Sequence, residues 1–102
     1  MVFFYPVGSV YCVMKYYYVY VLLSQKDQQM YTGYTSNLLK RVAMHNSGLV
    51  PSTKSRQPLK LIYWEGCLNQ QDATRSEKYL KSGNGKIYLG NRLRNFHNDP
   101  TG

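Results

Sequence analysis

Two runs of aromatic and β-branched residues, separated by six polar residues, are the strongest constraint on how this chain folds. Residues 17–23 (YYVYVLL) and 30–34 (MYTGY) have the composition of buried strands. The polar segment 24–29 between them is short enough for a hairpin loop, so the two strands are expected to pair antiparallel. Gly33 inside the second strand indicates that another group approaches the backbone closely there.

A helix is predicted directly after the hairpin, over about residues 37–46. Thr35 or Ser36 can cap its first turn, and Gly48 is a natural stop. Leucine and valine recur within it at helical spacing. Three residues are expected to form the apolar stripe of this helix: Leu38, Leu39 and Val42.

The second half of the chain predicts one strand and two helices. A polar, basic loop over 49–58 leads into a strand over 59–65 (LKLIYWE). Asn69 can cap a helix over about 70–82, which Gly83 and Gly85 interrupt, and a short helix follows. The order β, β, α, β, α, α predicts an α/β (α+β) fold with a small three-stranded antiparallel sheet flanked by helices.

The chain has 102 residues, enough for one small domain. We assign the domain to residues 15–96 and a fraying tail to 97–102. Residues 1–14 are apolar, but they lack the basic start of a secretory signal and are too short to cross a membrane. Because Met14 followed by Lys15 resembles a natural start, we expect residues 1–14 to be a dispensable extension, from a start assigned too early.

The net charge of +8, from 13 Lys and Arg against 5 Asp and Glu, favours an acidic partner, most often nucleic acid. A basic protein without a special partner is the plainer alternative. Cys12 and Cys67 form no C-x-x-C pair, and with only two histidines the chain lacks the ligands of a structural zinc site. Both cysteines are interpreted as reduced, which fits the cytoplasm.

The residues best suited to catalysis lie in two tyrosine-containing triplets and in the helices that follow them. Tyr18-Val19-Tyr20 lies on the first predicted strand and Tyr31-Thr32-Gly33 on the second, with ten residues between Tyr20 and Tyr31. Arg41 and His45 come next, four residues apart and so on one helix face, and Glu77 lies on the next helix.

Each of these side chains has a role that phosphodiester hydrolysis needs. Arg41 offers a planar fork of donors to phosphate oxygens, and His45 can exchange a proton near neutrality. Glu77 is the candidate metal ligand, since Mg²⁺ is commonly held by one carboxylate together with waters and phosphate. Considered one at a time, each residue has a plainer interpretation: Arg41 as a solvated surface charge, His45 as a polar residue at a helix end, and Glu77 as the ion-pair partner of Lys81.

This arrangement resembles the GIY-YIG nuclease superfamily, in particular its small stand-alone bacterial members. The resemblance covers roughly residues 16–95 and includes the runs YTGYTSNLLKRVAMHNSG, PLKLIYWE and EKYLKS. It implies an endonuclease that cuts phosphodiester bonds with one Mg²⁺ or Mn²⁺ ion and no small-molecule cofactor. The five residues that it marks as catalytic are Tyr20, Tyr31, Arg41, His45 and Glu77.

The resemblance leaves the general base open between Tyr31 and His45. A tyrosine of the second triplet is the usual candidate, and repair-type members carry a lysine just after the triplet's glycine, where this chain has Tyr34. A late asparagine common in the family is not assigned here, because neither Asn84 nor Asn91 aligns cleanly. In these roles Glu77 would hold the ion, Arg41 would neutralise developing charge and Tyr20 would orient water or substrate.

The sequence thus predicts a metal-dependent DNA endonuclease, in repair or branched-DNA processing, with RNA as an alternative substrate. No membrane partner is expected, and the oligomeric state is not determined. The alternatives are a catalytically inactive nucleic-acid-binding module of the same fold and, less favoured, a protein-interaction domain. Five basic residues are predicted to contact the phosphate backbone: Lys40, Lys54, Arg56, Lys78 and Lys81.

Overall fold

A computed structural model of the chain describes residues 15–99, which form a three-stranded antiparallel sheet with helices on both faces. The sheet order is β2-β1-β3, so the first strand is central. This architecture confirms the predicted fold class. Its elements are β1 (Tyr17–Ser24), β2 (Met30–Thr35), α1 (Leu38–Asn46), a 3-10 turn (Lys54–Arg56), β3 (Leu59–Cys67), α2 (Gln70–Lys81), α3 (Gly83–Arg92) and α4 (Arg94–Asn98).

The predicted hairpin between β1 and β2 is confirmed, and its turn is held by side chains. The Ser24 hydroxyl accepts hydrogen bonds from the backbone N–H groups of Lys26 (3.1 Å) and Asp27 (3.2 Å). Gln28 turns the chain with a φ of 59°. The register that results places Tyr20 opposite Gly33 and Leu22 opposite Tyr31.

Alternation along β1 divides the core into two faces. Tyr20 and Leu22 point to the side covered by α1, which we call the α1 face, where they pack near Leu38 and Val42. Val19 and Val21 point to the opposite side, which we call the α2–α3 face. Because both faces are covered, β1 is buried from Val19 to Ser24. The apolar cluster of the α2–α3 face is completed by Ala73, Leu80 and Leu89.

The start of α1 differs from the prediction in two ways. Asn37, not Thr35 or Ser36, is the N-cap: its side chain accepts from the backbone N–H of Lys40 at 3.2 Å. The Thr35 hydroxyl instead accepts from the N–H of Asn37 at 3.1 Å, which shapes the turn before the helix. Leu39 is 81% exposed, so its assignment to the apolar stripe was wrong. One residue on from Leu38 is about 100° around a helix, which rotates Leu39 off the sheet.

The other helix ends agree with the sequence signals. Asn69 caps α2 by accepting from the N–H groups of two residues in its first turn, as predicted. Gly48 has a φ of +75° just after α1, the conformation expected of a glycine stop. Gly85 allows α3 to pack against the end of α2, because a Cβ at this position would collide with the carbonyl of Tyr79.

The predicted domain boundaries fall partly outside the described residues. Residues 1–14 and 100–102 lie outside them, so the expectations for the extension and for the end of the tail have no structural counterpart. Helix α4 runs through Asn98, two residues past the boundary drawn at residue 96. Within residues 15–99, no helix has the length and apolar character needed to cross a membrane.

Candidate active site

Tyr20 lies at the centre of the candidate site, on the middle strand and fully buried. Its ring crosses over Gly33 on β2, and a Cβ at position 33 would overlap the Tyr20 hydroxyl. The glycine of the second triplet is therefore required by the tyrosine of the first. Burial raises the pKa of Tyr20, and the hydrogen bond from Arg41 opposes that rise.

Helix α1 brings Arg41 and His45 to the same phenol oxygen. The Tyr20 hydroxyl lies 2.8 Å from Nε2 of His45 and 3.4 Å from Nε of Arg41. The predicted common helix face is therefore present, and it turns towards the sheet. Arg41 is half-buried, and its hydrogen bond with Tyr20 raises the pKa of its guanidinium further.

His45 is fully buried and uncharged at neutral pH. Burial, together with the nearby charge of Arg41, lowers its pKa to about 4. Both ring nitrogens are engaged: Nε2 with Tyr20 and Nδ1 with the hydroxyl of Thr53, at 2.7 Å. A neutral imidazole donates from one nitrogen and accepts at the other.

The direction of these hydrogen bonds follows from the donor count. Arg41 has no acceptor on its side chain, so the Tyr20 oxygen accepts from it. The Tyr20 proton is buried and needs an acceptor, and Nε2 of His45 is the one within reach. We therefore assign the proton of His45 to Nδ1, which donates to Thr53. In this arrangement the imidazole accepts a hydrogen bond from the Tyr20 hydroxyl and has no direct contact with solvent.

Thr53 is the site residue that sequence reasoning missed. It is fully buried in the segment between α1 and β3, which the sequence marked only as a polar, basic loop. A threonine in such a loop carries no signal of burial. Its role depends on the path of residues 47–58, which brings it beneath the imidazole.

Tyr31 is the tyrosine of the site that solvent reaches. It is half-buried on the edge strand β2, with its ring centre 6.4 Å from that of Tyr20 and 5.0 Å from that of His45. A hollow of about 270 Å³ opens beside it. Lys81 and Lys86 line this hollow together with Leu80 and Leu89 of the α2–α3 face, so it opens at the edge of the sheet.

Tyr34, the residue directly after Gly33, belongs to the other side of the sheet. It pairs with Val19, packs against the apolar cluster of the α2–α3 face and stacks on Tyr17, with ring centres 6.3 Å apart. Strand alternation therefore separates this side chain from Tyr31.

Glu77 is presented by α2 with its side chain 22% exposed. Its carboxylate lies 3.1 Å from the ammonium of Lys81, so the i, i+4 ion pair considered from sequence is present. It is also close enough to Tyr20 for its charge to contribute to the raised pKa of that phenol. Glu77 therefore contributes to the electrostatic environment of Tyr20.

A divalent ion fits this site only as a one-carboxylate centre. Within residues 15–99, no three His, Cys, Asp or Glu side chains cluster so that they could hold an ion together. The oxygen ligands of Glu77 suit Mg²⁺, which keeps several waters and binds through one or two carboxylates plus substrate phosphate. The donor set thus agrees with a single hard cation.

The five predicted phosphate-contacting residues are in different situations. Lys40, Lys54 and Lys78 are exposed on α1, the 3-10 turn and α2, respectively. Arg56 is bound to Asp27, at 3.2 Å, and its carbonyl accepts from Ser24, so it ties the hairpin to the following loop. Lys81 pairs with Glu77 at the hollow beside Tyr31.

Comparison with known proteins matches residues 16–94 to the GIY-YIG catalytic domain model. Similar bacterial proteins include a UPF0213 protein of Clostridium perfringens, 45% identical over 63% of this chain and 69% of its own length. Another, from the ldhD 5′ region of Pediococcus acidilactici, is 44% identical over 72% of this chain and 76% of its own. A third, from Lactiplantibacillus plantarum, is 40% identical over 74% and 76%. No solved structure matches.

Proposed function

This chain belongs to the GIY-YIG catalytic domain family, and from that premise we propose that it is a metal-dependent endonuclease that hydrolyses phosphodiester bonds of DNA. The observation that carries the proposal is the convergence of Arg41 and His45 on the Tyr20 hydroxyl, with the half-buried Tyr31 beside them. A cation, a neutral proton acceptor and two phenols in one place suit a reaction that moves a proton while negative charge builds on phosphate.

Arg41 is proposed to bind the phosphate that is cut. Its Nε is engaged by Tyr20, but a guanidinium carries five N–H donors, so donors remain for a non-bridging oxygen. The hydrogen bond to Tyr20 also holds the planar group in one orientation. A fixed fork stabilises developing charge better than a mobile ammonium does.

Tyr31 is proposed to contact the attacking water and, in its phenolate form, after its own proton has passed to solvent, to accept a proton from that water. Of the two phenols, it is the one that solvent reaches; Arg41 interacts with it, and Lys81 and Lys86 line the hollow beside it. His45 has a different part in the proposal. Because it is enclosed and accepts the hydrogen bond of the Tyr20 hydroxyl, it fixes the orientation of that phenol, which is proposed to orient water or substrate.

Glu77 is proposed to hold one Mg²⁺ or Mn²⁺ ion. The ion would polarise the phosphate and stabilise the leaving oxygen. In the free protein the ammonium of Lys81 occupies one side of the carboxylate. Binding of an ion would require Glu77 to give up its contact with Lys81, and Lys81 would then be available to substrate in the hollow beside Tyr31.

The biological setting is proposed to be DNA repair or branched-DNA processing in the cytoplasm. The net charge of +8 supports a polyanionic substrate, and the free thiol of Cys67 is compatible with a reducing compartment. RNA of the same sequence and structure should be assayed in parallel, because phosphate contacts alone do not separate the two nucleic acids.

The test of the proposal is the variant Glu77→Gln. Loss of the ion's contribution, several kcal/mol, should lower the cleavage rate by roughly a thousandfold or more. DNA affinity in the absence of metal and the melting temperature should change little. Cleavage of linear, nicked and forked DNA is measured at saturating Mg²⁺ and, separately, at saturating Mn²⁺.

Glu65→Gln is the matched control, since Glu65 is a partly buried carboxylate on the α2–α3 face. It should melt at a lower temperature yet cut at the wild-type rate where it is folded. Full activity of Glu77→Gln would overturn the metal assignment. Wild-type protein that binds DNA but cuts none of these substrates with either ion would favour the inactive binding module instead.

A further inference from the structure

An exposed aromatic groove lies on the α1 face next to the site and has no part in the chemistry above. Tyr18 is two residues before Tyr20, and Trp64 pairs with Tyr20 from β3, so both point to the same face as Tyr20. Two residues of strand span about 7 Å. Nine residues line the groove: the aromatic and apolar Tyr16, Tyr18, Leu38, Leu39, Leu61 and Trp64, together with Ser36, Asn37 and Gly66.

The groove is large and apolar for so small a protein. One hollow of about 430 Å³ lies between Tyr18, Trp64 and the first turn of α1, and a second, of about 300 Å³, lies between Tyr16 and Trp64. Trp64 is 53% exposed. Its ring packs edge to face against that of Tyr18, with ring centres 5.7 Å apart. This contact restrains the orientation of both rings and leaves part of each ring surface uncovered.

Charge indicates which kind of molecule this groove can receive. No carboxylate is among the residues that line it, and Arg41 and Lys40 follow directly on α1. Glu65, the neighbour of Trp64, points to the α2–α3 face. An apolar, aromatic surface that continues into a cationic site suits a ligand with flat rings on an anionic backbone.

We propose that this groove stacks unpaired bases of the strand whose phosphate enters the site. The inference rests on the proposed function and narrows its substrate class to nucleic acid that is single-stranded next to the cut. In a duplex the ring faces of the bases are covered by their neighbours, whereas unpaired bases can lie against tyrosine and tryptophan. The separation of about 7 Å from Tyr20 to Tyr18 along β1 equals the rise of about two stacked nucleotides, so the bases concerned adjoin the cut phosphate.

Trp64 is the only tryptophan of the chain, so its fluorescence reports on the groove directly. The full-length protein, kept in EDTA so that no cutting occurs, is titrated with oligothymidylate of about ten nucleotides, a length within the site sizes of single-strand binders. Quenching of Trp64 emission is expected. A dumbbell duplex, whose closed ends offer no exposed base pair, should bind through its phosphates with little quenching.

Two variants and one control separate stacking from charge. Trp64→Leu and Tyr18→Leu keep the groove apolar but remove a ring, and each should weaken binding of labelled oligothymidylate by about fivefold to hundredfold. The dependence of the binding constant on salt should keep its wild-type slope, since no phosphate contact is lost. Tyr79→Leu, which removes a tyrosine 47% exposed on α2, should bind like the wild type.

Four results would overturn the stacking site: no quenching by oligothymidylate, equal quenching by the dumbbell duplex, wild-type affinity of Trp64→Leu, or protection of Trp64 from iodide in the free protein. The last would mean that the groove is already covered, for instance by residues 1–14. These readouts need no metal and no cleavage. If the protein shows this quenching and binding but cuts nothing, the stacking site is supported while the nuclease function is refuted. If cleavage is normal but oligothymidylate does not quench Trp64, only the stacking site is refuted.

Discussion

The two faces of the sheet each hold a tyrosine hydroxyl in a hydrogen-bonded network, and the two networks differ in the acceptor. On the α1 face, Tyr20 meets neutral His45 and cationic Arg41. On the α2–α3 face, Tyr63 donates to the carboxylate of Glu65 at 3.0 Å. That carboxylate also accepts from Ser76, at 2.5 Å, so it links β3 to α2.

The contrast shows how neighbours decide what a buried phenol can do. Burial raises the pKa of both tyrosines. Around Tyr63 the hydrogen bonds to Tyr88 and Glu65 raise it further, which keeps the proton in place. Around Tyr20 the hydrogen bond from Arg41 acts against burial. The first network joins structural elements, whereas in the second a cation partly offsets the rise in pKa that burial imposes on the phenol.

Removing the Tyr20 and Tyr63 hydroxyls in separate variants should give the largest difference in cleavage rate between the two networks. Tyr20→Phe is expected to lower single-turnover cleavage by roughly 10²- to 10⁴-fold, the range for a group that assists proton transfer. Tyr63→Phe should cut at nearly the wild-type rate and lose about 1 kcal/mol in its free energy of unfolding. Equal losses of cleavage in the two variants, compared at a temperature where both are folded, would remove the functional distinction between the networks.

The buried imidazole should make stability depend on pH. His45 has a pKa of about 4 in the folded protein and near 6.5 when unfolded, so between these values the unfolded chain binds the extra proton. The free energy of unfolding therefore rises with pH across this window, and acidification from pH 6.5 to 4 removes up to about 3 kcal/mol. Urea unfolding at a series of pH values measures this dependence.

His45→Gln should flatten that dependence, while His97→Gln, an exposed histidine on α4, should leave it unchanged. The same lowered pKa implies that His45 does not titrate near neutrality. An inflection of the cleavage rate near pH 6.5 that disappears in His45→Gln would contradict the enclosed, neutral imidazole.

The two networks also differ in the arginine that donates to the tyrosine, and replacing these arginines should give the smallest of the three expected effects. Arg41→Lys keeps the charge but loses the fork, and removal of one charged hydrogen bond, about 1.5–3 kcal/mol, should slow cleavage about tenfold to hundredfold at saturating DNA. Arg92→Lys removes the guanidinium that donates to Tyr88 in the other network, at 3.0 Å, and should leave cleavage unchanged. Equal turnover of Arg41→Lys and wild type would show that Arg41 supplies only charge.

Much of the architecture could be predicted because it depends on local patterns. The aromatic and β-branched runs marked all three strands, and Asn69, Gly48 and the Gly83–Gly85 break marked helix ends. Local rules also failed where several residues could serve: Thr35, Ser36 and Asn37 are all capable caps, and the geometry of the turn selected Asn37. Helical spacing alone could not exclude Leu39 from the stripe, since the direction of the sheet decides which face is covered.

The sequence by itself determined which chemical groups are available and which strands and helices carry them. Tyr20, Tyr31, Arg41, His45 and Glu77 could be selected because their types and spacing repeat a known pattern. Only the tertiary structure decided their environments: it enclosed His45 against Thr53, left Tyr31 open beside Lys81 and Lys86, and turned Tyr34 to the other face. Burial and pairing arise from contacts between segments far apart in the chain, and those contacts set the protonation state of each group.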